Sequence, residues 1–88
     1  MSAHPIRVYF THDLDETNDP ITAVFVDSLG DEAEDMYTVY SRIGQHSTGS
    51  PEWVSSRTRP ATPGEYASLL SELGRVGYIV TPVPGLGG

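Results

Sequence analysis

Thr62-Pro63-Gly64-Glu65-Tyr66-Ala67-Ser68-Leu69-Leu70-Ser71-Glu72-Leu73-Gly74-Arg75-Val76-Gly77 is the stretch on which the fold turns. It opens with a helix start: Thr62 as N-cap, Pro63 at the first helical position, and Glu65 placed to close a capping box. Tyr66, Leu69, Leu70, Leu73 and Val76 then recur at helical spacing and make one apolar stripe, with Glu65, Ser68, Glu72 and Arg75 falling mainly outside it. Gly77 predicts the stop, with Gly74 as the alternative. A stripe on one side of a single helix needs one apolar surface to lie on, and the flanking sequence supplies strands for it.

Upstream, residues 6–10 alternate and put Ile6, Val8 and Phe10 on one face. Residues 12–20 are polar and acidic and read as a loop. Residues 21–26 are β-branched and aromatic, a strand buried on both faces. Residues 27–31 have turn chemistry around Gly30. Residues 36–43 predict a third strand, with Tyr37, Val39 and Ile43 on one face and Tyr40 and Arg42 on the other. Residues 44–51 read as a loop of Gly, Ser, Thr, Gln and His, and residues 52–58 as a fourth strand with Trp53 and Val54 on opposite faces. Downstream of the helix, residues 78–83 predict a last strand at an edge or strand end, because Pro82 and Pro84 donate no ladder hydrogen bond. Residues 85–88 read as a flexible tail. The order β-β-β-β-α-β implies one α+β domain over residues 1–88: a mostly antiparallel sheet of four to five strands with the helix on one face, covering about half of it, and Arg and Tyr on the other face, open to solvent or a partner.

The chain has 88 residues, 38% of them apolar, which suffices for one modest core. It has no cysteine, which removes thiol catalysis, thiolate zinc sites and disulfide staples, and favours an intracellular, cytoplasmic home. No signal peptide and no apolar run of membrane-spanning length is seen, so no membrane partner is expected. Twelve acids against five bases give a net charge of −7, and all five bases are Arg. The Arg-only usage fits a GC-rich coding genome. The acidic balance argues against direct nucleic-acid binding and favours a basic protein partner.

Five groups of residues carry chemical possibilities. His12, Asp13, Asp15, Glu16 and Asp19 have donor types suited to a divalent cation, but the calcium-loop template fails, because Asn18 stands where Gly is needed and Val24 where the closing Glu belongs. A solvated acidic loop is the simpler reading, and no metal or other cofactor is expected. Asp27, Asp31, Glu32, Glu34 and Asp35 extend the charge, so that nine of the twelve acids fall between residues 13 and 35, as a docking surface or as two solvated loops. His46 beside Ser47 invites a hydrolase reading, but the Gly-x-Ser-x-Gly elbow is absent and adjacent loop residues rarely aim at one another; no catalytic residue is assigned. Arg57 and Arg59 ahead of the helix start suit a phosphate or carboxylate, or simply neutralise nearby acids. Gly87 and Gly88 end the chain as sulfur carriers and ubiquitin-like modifiers end, although in those β-grasp proteins the main helix follows the first hairpin.

The segments Ile43-Gly44-Gln45-His46-Ser47, Ser50-Pro51-Glu52-Trp53-Val54 and Arg59-Pro60-Ala61-Thr62-Pro63, with Glu65, Tyr66, Leu69 and Leu70, resemble a family of small uncharacterised proteins of actinobacteria and their phages. The resemblance spans residues 36–76. It carries no activity or functional residue, and it implies a phage accessory protein that acts by touching a host protein. The expectation from the whole sequence is a non-enzymatic acidic interaction module with Tyr9, Tyr37, Tyr40, Arg42, Trp53, Arg57 and Arg59 as anchor candidates. Homodimerisation through an uncovered sheet face or edge is a second expectation, and a carrier activated at Gly88 is the alternative.

Overall fold

The computed structural model describes residues 5–15, 20–30, 34–41 and 45–86. The elements run β1 (Pro5–Asp13), β2 (Ile21–Phe25), β3 (Tyr37–Ser41), β4 (Gln45–Gly49), α1 (Pro51–Arg57), β5 (Thr58–Pro60), α2 (Pro63–Val76) and β6 (Ile79–Pro82). Strands β1 to β4 form an antiparallel meander in the spatial order β4-β3-β2-β1. The outer side of β1 is shared end to end. β5 pairs antiparallel with Thr11, His12 and Asp13, and β6 pairs parallel with residues 5–8. The backbone shows how one edge holds two strands: the Val8 carbonyl accepts from Val83 N–H and the Phe10 carbonyl accepts from Ala61 N–H, both at 2.9 Å. Carbonyls two residues apart point to the same side of a strand.

The α+β architecture with the late helix on the sheet follows the sequence. α2 begins and ends on the residues that its caps predict. Thr62 Oγ1 accepts from Glu65 N–H at 3.3 Å, and Glu65 Oε1 accepts from Thr62 N–H at 2.8 Å. Gly77 closes the helix in the left-handed region, with φ of 117°. Leu69 and Leu73 are buried against Val8, Phe10, Ala23 and Tyr40. Phe10 stacks on Tyr66 with ring centroids 4.2 Å apart. Burial of each leucine side chain contributes about 1.5–3 kcal/mol.

Residues 44–58 depart from the sequence reading. Residues 45–49, expected in a loop, form β4, and residues 52–58, expected as a strand, form α1 followed by the short β5. The cause is a second helix start of the same grammar as the first. Ser50 Oγ accepts from Trp53 N–H at 3.0 Å, Pro51 occupies the first turn, and Glu52 sits near the partly positive helix end. Helix α1 then puts Val54 and Trp53 against Tyr9, Val24, Tyr37 and Val39, joined by Val83 and Leu86. The second sheet face, expected to be open, is therefore covered over these residues. Gly49 makes this possible, because a Cβ there would lie 3.3 Å from both the Trp53 ring and Val39 Cγ1.

The radius of gyration is 12.1 Å, the value of about 12 Å expected for a compact domain of this length. No helix among the described residues is long and apolar enough to cross a membrane.

Candidate functional site

Two layers cover the sheet, and what they leave open is the candidate site. On the α2 side, a cleft of about 570 Å³ is lined by Ile6, Phe25, Thr38, His46 and Tyr78, with Pro5, Arg7, Asp27 and Ser28 around it. No residue of α2 lines it, so it is the part of this face that the helix does not reach. Its walls come from elements far apart in sequence. Phe25 ends β2, His46 stands on β4, and Tyr78 lies between α2 and β6. The ring centroids are 5.4 Å apart for Phe25 and Tyr78, and 6.3 Å apart for Phe25 with His46 and for His46 with Tyr78. His46 Nε2 lies 3.1 Å from the Tyr78 hydroxyl oxygen, and the imidazole meets the Tyr40 ring edge-on at 4.8 Å.

The rim is held by local polar contacts. Arg7 Nε and Nη2 donate to the two carboxylate oxygens of Asp27, at 3.1 and 2.5 Å. The hydrogen bond from Arg7 holds the Asp27 carboxyl below its ordinary value. Ser28 Oγ donates to the Phe25 carbonyl at 2.5 Å and accepts from Thr38 N–H at 2.8 Å, which ties the turn after β2 to β3. The volume lies in the range of small-ligand pockets, about 300–1,000 Å³.

The residues singled out in the sequence are distributed as follows. Tyr9 and Tyr40 are core residues, 8% and 1% exposed, Tyr37 is buried, and Trp53 is half-buried under β3 and β4. These rings pack the two layers and are not exposed anchors. Burial raises the Tyr9 hydroxyl pKa. Arg42, Asp31, Glu32, Glu16, Asp19, Gly87 and Gly88 lie outside the described residues. Glu34 and Asp35 are exposed in the connection between β2 and β3.

Arg57 and Arg59 are engaged by acids of the chain itself. Arg57 Nη1 donates to Asp15 Oδ2 at 3.1 Å. Arg59 donates through Nη1 and Nη2 to the two oxygens of Glu65, at 2.9 and 2.7 Å. His12 Nε2 stands 3.6 Å from Glu65 Oε2. The carboxylate expected from a ligand at this helix start is thus supplied by Glu65. Among the described residues no group of three or more His, Asp or Glu is placed to hold a metal ion.

His46 and Ser47 are neighbours on a strand, not a loop, so their side chains point to opposite faces. His46 pairs in register with Tyr40 on the α2 side and Ser47 with Val39 on the α1 side. The sequence therefore drew attention to His46 with the wrong companion; its ring partners are Phe25, Tyr40 and Tyr78. The order of elements also departs from a β-grasp, since among the described residues four strands precede α1 and α2. Comparison with protein-family models, with curated proteins and with solved structures gives no match.

Proposed function

We propose that this chain is a non-enzymatic, acidic protein-interaction module that seats a side chain of its partner in the cleft lined by Ile6, Thr38 and the packed rings of Phe25, His46 and Tyr78. The observation that carries the reading is that cleft: about 570 Å³ of open space, with three packed aromatic rings in its lining, on the part of a sheet face that α2 leaves uncovered. Preformed pockets with aromatic walls are where single side chains contribute most to protein–protein affinity. A net charge of −7 speeds the approach of a basic partner. Exposed Glu34 and Asp35 place part of that charge on the connection that follows Phe25. The placement of His46 supports binding over catalysis, since its ring faces the Tyr78 hydroxyl and its neighbour Ser47 points away. The resemblance to chains of actinobacteria and their phages makes a host protein the partner to look for.

The test is affinity capture with the wild-type chain beside Phe25→Ser and Tyr78→Ser variants shown by circular dichroism to be folded. The expected result is one protein recovered by the wild type and reduced at least tenfold by both variants. Undiminished recovery of that protein by the folded variants overturns the reading.

A further inference from the structure

The lining of the cleft combines three kinds of surface. Ile6 is apolar. Phe25, His46 and Tyr78 add ring surface, and an aromatic face carries negative charge density that attracts cations. At the rim stands the carboxylate of Asp27, its side chain 64% exposed. An ionised carboxylate accepts about four hydrogen bonds. Arg7 supplies one to each oxygen, through Nε and Nη2, so each oxygen keeps room for a second donor. Among the described residues Arg7 is the only lysine or arginine in the lining, and its ion pair with Asp27 cancels its charge.

These surfaces discriminate among side chains. An aliphatic one gains burial on Ile6 and the rings, but in closing over the rim it takes water from Asp27 and supplies no hydrogen bond in its place. A carboxylate could use the N–H groups that Arg7 does not spend on Asp27. It would meet the ring faces with the wrong sign, however, and approach a chain of net charge −7 with Glu34 and Asp35 exposed after β2. A guanidinium suits all three surfaces. It is planar and weakly hydrated, it stacks on aromatic faces, and its fork of N–H groups matches a carboxylate. Its aliphatic stem covers apolar surface while the charged head stays at the rim. We infer that the side chain seated in the cleft is an arginine of the partner, stacked on the ring lining and donating to Asp27 beside Arg7. The inference rests on the cleft being a docking site for a side chain, as proposed above.

The test is a titration of the isotope-labelled full chain, followed by two-dimensional NMR, with the N-acetyl amides of arginine, citrulline and leucine. Citrulline keeps the shape of arginine without its charge. Binding is read at the signals of Phe25, His46 and Tyr78. The arginine amide is expected to bind at least about fivefold more tightly than either of the others. Two variants, whose spectra also report their fold, separate the rim from the rings. Arg7→Gln removes the competing guanidinium and should tighten arginine binding at least about twofold. Adding Asp27→Asn to Arg7→Gln leaves a neutral rim and should loosen it at least about fivefold relative to Arg7→Gln alone. Leucine amide binding as tightly as arginine amide overturns the inference and leaves the cleft a docking site. Equal arginine affinities in the single and double variants overturn it in the same way. A cleft unmoved by all three amides up to about 100 mM overturns the inference and counts against the docking reading as well.

Discussion

Arg59 and Glu65 meet in a two-point ion pair, guanidinium to carboxylate, at 2.9 and 2.7 Å, while the same carboxylate accepts the Thr62 N–H that opens α2. One side chain thereby fastens the end of β5 to the start of the principal helix. The Glu65 carboxyl is held down to about 2 from its ordinary 4.5, first by the hydrogen bond from Arg59 and then by that from Thr62. A carboxyl whose folded pKa lies below its unfolded one binds fewer protons in the folded state. Its contribution to stability is therefore complete above about pH 4.5 and is lost as the pH falls towards 2. Thermal melts followed by circular dichroism across this range should show the wild type above Glu65→Gln at neutral pH, with the gap closing below pH 4.5. A gap that stays constant down to pH 2 contradicts the linkage.

Gly49 offers a test of the second layer. An added Cβ presses on the Trp53 ring and Val39 at 3.3 Å, closer than such contacts usually come. Gly49→Ala is expected to cost about 1 kcal/mol, within the usual range for overpacking, and to change the emission of Trp53, the chain's one tryptophan. Urea denaturation followed by fluorescence measures both.

The apolar stripe of α2 divides into working and idle positions. Leu73 is fully buried, whereas Val76, on the same stripe by spacing, is 54% exposed. Leu73→Ala should cost about 2–5 kcal/mol, a large share of the stability of a domain this small. Val76→Ala should stay within about 0.5 kcal/mol of the wild type. Equal effects from the two substitutions in chemical denaturation would contradict the packing of α2.

Gly77 is required by its backbone conformation, since its surroundings hold nothing within 4 Å of an added Cβ. Its φ of 117° lies where side chains are strained, and its N–H and that of Tyr78 close on the last carbonyls of the helix. Gly77→Ala should cost roughly 1–2 kcal/mol. The loss should be nearly the same in high salt, which separates a conformational cost from an electrostatic one.

The sequence made α2 legible because its two ends and its stripe agree, and local chemistry alone determines all three. The same grammar was present at Ser50-Pro51-Glu52 and could have shown α1. Trp53, Val54 and Thr58 outweighed it as strand formers, because a helix of seven residues is too short to develop a periodic stripe. β4 was illegible for the opposite reason. Its residues are polar, and they become a strand by pairing with β3, a tertiary cause that periodicity does not register. The aromatic cleft is of the same kind. Phe25, His46 and Tyr78 carry no spacing that connects them, and only the strand order brings them to one place.

The sharing of one side of β1 by β5 and β6 also sets a timetable. Translation delivers the meander first, and at that moment the outer side of β1 has no neighbour. Pro5 finds its partner Ile79 only after α2 has been made, across nearly the whole described chain. Loop closure over such a span is slow relative to hairpin formation. While it is pending, β1, with buried Val8, Phe10 and Thr11, is exposed to pairing with other chains. The nascent protein is therefore open to aggregation along the unpaired side of β1, and arrival of β6 ends that interval.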